Sequence, residues 1–118
     1  MKKFLAVYTG TDKAAKQAGW DKLDAAALKA REAEGMNAWM EWGTKNKGAI
    51  VDQGTPLGKT KRASRDGIAD ITNAMTGYVI VEAETLEAAA KMFANHPHFA
   101  IFPGDGVEIV ECLPLPEM

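Results

Sequence analysis

Gly77-Tyr78-Val79-Ile80-Val81-Glu82-Ala83-Glu84-Thr85-Leu86-Glu87-Ala88-Ala89-Ala90 changes periodicity halfway along. As far as Ala83 the side chains alternate, with Tyr78, Ile80 and Glu82 on one side and Val79, Val81 and Ala83 on the other. This is the two-residue period of a strand, in residues that favour one. Both sides are largely apolar, which places the strand inside a sheet. From Leu86 the apolar positions become Leu86, Ala89, Ala90 and Phe93, the spacing of one helix face, and Thr85 stands where an N-cap is wanted. That helix is expected to run to about Ala94. Beyond the Gly104-Asp105-Gly106 turn, Val107 to Leu113 reads as a strand again. The carboxyl-terminal half is therefore a strand–helix–strand unit.

The amino-terminal half repeats that order with more helix. Lys3 to Tyr8 is a strand with Phe4, Ala6 and Tyr8 on one face and Leu5 and Val7 on the other. Thr9-Gly10-Thr11 breaks it, and a short helix over 12–18 ends at Gly19. Asp21 reads as the N-cap of a second helix striped by Leu23, Ala26, Ala27 and Ala30. Glu34-Gly35 punctuates the chain. A third helix over 36–47, with Met36, Trp39, Met40 and Gly43 on its apolar face, is expected to be the main core helix, stopped by Gly48. Ala49 to Gln53 is a short strand. Between the halves lie the turn Gly54-Thr55-Pro56, a basic strand from Leu57 to Ala63, a two-residue turn at Asp66-Gly67, and Ile68 to Ile71. Right-handed crossovers turn this order into an α+β, ferredoxin-like split βαβ domain with an antiparallel sheet and an extra N-terminal helix. Helices cover one sheet face. The other carries aromatic and β-branched residues and calls for a second copy, sheet against sheet: a homodimer.

The 118 residues fit one domain, 1–118, for which area scaling gives about 6,200 Å² of folded surface. With 47% hydrophobic and 25% charged residues, disordered and fibrous classes are excluded. No apolar run spans a bilayer, and Phe4 to Tyr8 is too short for a signal-peptide core. The single cysteine, Cys112, fits a reducing cytoplasm and reads as a small buried hydrophobe. Net charge is −2, but residues 1–65 carry +6 and residues 66–118 carry −8, charges that can neutralise one another on folding. The ferredoxin-like topology is shared with RNA-recognition domains. Thr76-Gly77-Tyr78-Val79-Ile80-Val81-Glu82 nevertheless offers one aromatic and an acid where that signature wants several aromatics and a base, so nucleic acid is excluded as a partner. Gly54-Thr55-Pro56-Leu57-Gly58-Lys59-Thr60 is one residue short of a phosphate loop, and no dinucleotide fingerprint occurs, so no cofactor is expected.

Chemistry has few carriers. His96 and His98 flank Pro97, and either imidazole can take or give a proton near neutrality. In an extended segment the two rings point to opposite sides, so one faces a pocket, His98 being the better candidate; the alternative is an imidazole completing a helix C-terminus. Glu82, on a central strand beside Tyr78 and Ile80, is the second candidate for proton transfer, since apolar surroundings raise a carboxyl pKa. At a strand end it would instead meet solvent. Asp52 is a weaker case of the same kind, and Asp66 serves its turn. Trp39 and Trp42 belong either to the core or to a pocket wall, and Tyr8, Trp39, Asp52, Tyr78 and His96 are the candidate ligand contacts. His96-Pro97-His98 with Glu82, Asp52 or Glu111 has no recognised metal-ligand spacing, so no metal is expected.

Taken in order, Met36-Asn37-Ala38-Trp39, Gly48 through Gly54 with Leu57-Gly58, Asp66-Gly67, the stretch Gly77 to Ala89, His96-Pro97-His98-Phe99 and Val107-Glu108-Ile109 resemble the YCII-related domain family, including its DGPF-type members. The resemblance covers essentially the whole chain. It implies a dimeric α+β barrel with a pocket between sheet and helix, small-molecule elimination or isomerisation chemistry in some members, and accessory roles in others. The chain departs from the DGPF pattern at Ile68-Ala69. It also has His96-Pro97-His98 where enzyme-like members place an Asp, so a pocket His–Asp pair is not carried over. The function expected is a small dimeric pocket protein binding a small organic molecule, or alternatively a lyase or isomerase using a pocket histidine as base.

Overall fold

In the computed structural model, which describes residues 1–116, β1 (Lys2–Thr9) and β5 (Met75–Ala83) form the middle of a four-stranded antiparallel sheet. β2 (Ile50–Asp52) and β6 (Gly106–Cys112) are its edges, giving the order β2-β5-β1-β6. Renumbered within the sheet this is 2-3-1-4, the ferredoxin-like arrangement, and the fold class expected from the sequence is the one found. Helices α1 (Asp12–Ala18) and α2 (Ala25–Lys45) lie on the first crossover. Helices α3 (Leu86–Lys91) and α4 (Pro97–Ala100) lie on the second. The register sets Phe4 against Val81, Ala6 against Val79 and Tyr8 against Gly77. These residues face the helices and form the core with Ala83, Ala89 and Phe93, while Trp39, Trp42, Ile50 and Ile109 pack against its border. Phe4 and Val81 are fully enclosed, each worth about 2 kcal/mol of apolar burial.

Three local readings are corrected. Gly35 does not break the helix: α2 runs unbroken for 21 residues, and Gly35 is its one buried residue. A Cβ there would stand 2.5 Å from the Phe102 ring, so the missing side chain makes room for an aromatic rather than for a turn. The buried face of α2 is accordingly Gly35, Trp39 and Trp42, while Met36 and Met40 are 55% and 65% exposed. The N-cap is Asp24, whose Oδ1 accepts from the Ala27 amide at 2.7 Å, and Asp21 sits in the preceding 3₁₀ turn. In the basic hairpin the loop is Arg65-Asp66, with Gly67 (φ 108°) already paired to Ser64.

That hairpin, β3 (Thr60–Ser64) with β4 (Gly67–Ile71), is a separate two-stranded sheet. Its faces are exposed, Ile68 by 76%. Cys112 is also exposed, against expectation, because it ends an edge strand on the uncovered face. On that face Leu5, Val7, Tyr78 and Ile80 are only half-buried. The molecule measures 57 × 41 × 19 Å and exposes 8778 Å², some 2,500 Å² more than the ~6,200 Å² of an average folded chain of this mass. Among the described residues no helix is long and apolar enough to cross a membrane.

Candidate functional site

A cavity of about 680 Å³ opens between the helix-covered sheet face and α2. Tyr8 from β1 and Gly77 and Val79 from β5 form one wall, Trp39, Trp42 and Gly43 from α2 the other, and the loop Gln53 to Pro56 closes one side. His98 from α4 completes it.

The two histidines are placed by α4. Pro97 keeps His96 out of helical geometry (φ −58°, ψ 141°) and itself occupies the first helical position, where its missing N–H costs nothing. His96 is thereby the N-cap, and its Nδ1 accepts the His98 backbone N–H at 3.0 Å. An imidazole that accepts through Nδ1 carries its proton on Nε2, and this Nε2–H is buried without a hydrogen-bond partner. Aromatic rings surround it: the Trp39 ring centroid lies 4.6 Å away at 89°, and that of Trp42 at 4.8 Å and 67°. Burial, with His98 adding electrostatic repulsion, pushes the His96 pKa down to about 4. His96 is therefore neutral at physiological pH and lies beneath the cavity wall rather than on it.

His98 is held from the opposite end of its ring. Nε2 lies 2.7 Å from the backbone carbonyl of Thr9 and donates to it. In the neutral ring this leaves Nδ1 as the unprotonated nitrogen, and among the described residues it has no hydrogen-bond partner. The loop carrying Gly104 closes over the ring, where a Cβ on Gly104 would strike both the imidazole and the His98 carbonyl. The Gly104 amide donates to that same carbonyl at 3.0 Å. Tyr8 stacks obliquely 5.2 Å from His98 and 4.9 Å from Trp39. Burial raises its phenol well above the ordinary value, so it stays a proton donor. Trp42 is fixed by donating Nε1–H to the Met92 carbonyl at 2.7 Å.

Of the candidates drawn from the sequence, Tyr8, Trp39 and His98 meet at this cavity, and Tyr78 borders it although strand alternation gives its side chain to the uncovered face. Tyr78 does so beside the Gly54 turn, where a Cβ on Gly54 would collide with its carbonyl. Glu82 does not join them. It pairs with Lys3 on the uncovered face, opposite to the face of Tyr8 and His98. Asp52 is also off the wall, its Oδ1 accepting the Gly54 amide at 2.8 Å. The partner that orients His98 is the Thr9 carbonyl rather than a carboxylate. His98 is buried, not the half-exposed loop residue its position near a turn suggests. Among the described residues no three His, Cys, Asp or Glu side chains cluster as metal ligands. Lys47, Thr44, Gln53 and Thr76 on the cavity wall went unrecognised, because polar residues near turns carry no periodic signal.

No protein-family model matches the chain, and no curated protein matches it. Among solved structures it is similar to 5-chloro-2-hydroxyhydroquinone dehydrochlorinase from Burkholderia phenoliruptrix AC1100, in complex with 2,5-dihydroxybenzoquinone. The TM-score is 0.52 at 14% identity, over 91% of this chain and 89% of that one. At that identity the likeness is one of fold.

Proposed function

We propose that this chain is a divergent YCII-related pocket protein that binds a small planar organic molecule between its sheet and α2. The observation that carries this reading is the 680 Å³ cavity walled by the rings of Tyr8, Trp39 and Trp42. Its volume lies in the usual range for small-molecule sites, and flat aromatic walls select flat ligands. The structural neighbour was solved with 2,5-dihydroxybenzoquinone, a planar ring of suitable size to serve as a first probe. Binding would quench tryptophan emission, and the quenching is expected to weaken in Trp39→Ala, which leaves Trp42 as the one tryptophan on the wall. Unchanged emission at millimolar probe, with this and other small aromatics, would count against the pocket.

The second reading is proton-transfer catalysis of the lyase or isomerase type, favoured by the His98–Thr9 hydrogen bond. A fixed Nε2–H leaves Nδ1 as base, and the Tyr8 hydroxyl supplies a donor for an oxygen that gains charge as the proton leaves. The neighbour is named for a dehydrochlorination, a reaction in which a proton and a chloride are both lost. Hydrogen–deuterium exchange into a bound ligand, present in the wild type and absent in His98→Ala, tests it.

The chain works as a homodimer in this proposal, through the uncovered sheet face and in the cytoplasm. The half-buried Leu5, Val7 and Ile80 and the surplus exposed area support the dimer, and the lone Cys112 supports the compartment. Light scattering at micromolar concentration is expected to give twice the 12.7 kDa chain mass.

A further inference from the structure

Lys47 is the only residue with a permanent charge on the cavity wall, and no Asp or Glu lines it among the described residues. The other polar lining side chains carry amide, hydroxyl, indole or imidazole groups. The ion pairs found among the described residues, Lys2–Glu111 and Lys61–Asp70, lie elsewhere and leave the Lys47 ammonium unmatched. The carboxylate nearest in sequence, Asp52, is engaged by the Gly54 amide. Lys47 opens the 3₁₀ turn after α2, so it stands at the opposite end of the helix wall from Trp39. Eight residues separate the two, roughly 12 Å if measured at the helical rise.

We infer that the pocket selects planar organic anions, the ring lying against Trp39 and Trp42 and the carboxylate or oxyanion meeting Lys47. This rests on the pocket reading above and adds the charge of the ligand to it. A low-dielectric aromatic wall strengthens a single cation's pull on an anion, and no carboxylate on that wall offsets it. Because Lys47 itself is exposed, the effect is that of a solvent-screened ion pair, about fivefold in affinity.

Isothermal titration calorimetry with 2-naphthoate and its neutral isostere 2-naphthamide separates the two claims. Wild type is expected to bind the carboxylate about fivefold more tightly than the amide. That preference should vanish in Lys47→Gln and shrink in 1 M salt, where the screening length falls to about 3 Å. Equal binding of both probes, or a preference that survives Lys47→Gln, overturns the anion inference and leaves the pocket standing. Failure of both probes to bind defeats the pocket reading and the inference together.

Discussion

Acid should loosen this fold through one residue, His96. Its ring is fully enclosed, caps α4 through an unprotonated Nδ1, and has a pKa pushed down to about 4, against about 6.5 in an unfolded chain. The folded pKa lies below the unfolded one, so on acidification the unfolded state takes the proton first. Stability from this group is therefore complete above about pH 6.5 and is lost as pH falls toward 4. At 1.36 kcal/mol per unit the full loss is about 3 kcal/mol, and about 2 kcal/mol is gone by pH 5. Urea unfolding at fixed protein concentration between pH 7 and 4.5 measures it, compared with His96→Asn. The asparagine oxygen can still accept the residue-98 N–H but does not titrate. The variant starts lower at pH 7, having lost the aromatic packing. Carboxylates titrate in both proteins and cancel in the difference. The gap between wild type and variant should close by about 2 kcal/mol from pH 7 to pH 5. Parallel curves would refute the assignment of a buried neutral imidazole to this cap.

Gly35→Ala should lower stability by about 1 kcal/mol, because crowding the Phe102 ring outweighs the gain in helix propensity; a higher melting temperature would contradict the close packing described. Trp39→Ala should cost about 2 kcal/mol in chemical denaturation, less than a fully enclosed aromatic, since one side of the ring already faces a cavity. His98→Ala should cost about 1–2 kcal/mol through loss of its bond to Thr9, besides ending any proton exchange into ligand. Wild-type stability in that variant would mean the ring is not held as described.

Strand alternation made the sheet legible. The parity of Phe4, Ala6 and Tyr8 against Leu5 and Val7, and of Val79 and Val81 against Tyr78 and Ile80, is a local property of the chain, and the register preserves it. Parity does not say which face receives the helices, so the sequence could not show that Glu82 and His98 belong to opposite faces of the sheet. Helix boundaries failed at Gly35 for a related reason. A glycine signals either a break or a close approach, and deciding between them requires Phe102, a residue far along the chain. Met36 and Met40 share helical spacing with Trp39, yet the helix turns the neighbouring Gly35–Trp39–Trp42 stripe inward. The aromatic members of the site were visible as residue types. The contact that orders them, His98 to Thr9, spans 89 residues and engages a main-chain oxygen, which no side-chain pattern announces.

That main-chain oxygen has an evolutionary consequence. Where a carboxylate orients a histidine, one base change can delete the partner, and its negative charge can be tuned by its neighbours. The Thr9 carbonyl accepts from both His98 and the Asp105 amide whatever side chain position 9 carries, provided the strand stays in register. The tautomer of His98 is thus insulated from drift at position 9 and also denied a ready route to a stronger base. Substitutions on the cavity wall around Lys47 and Gln53 would leave the proton on the same nitrogen. To move it they would have to displace a strand.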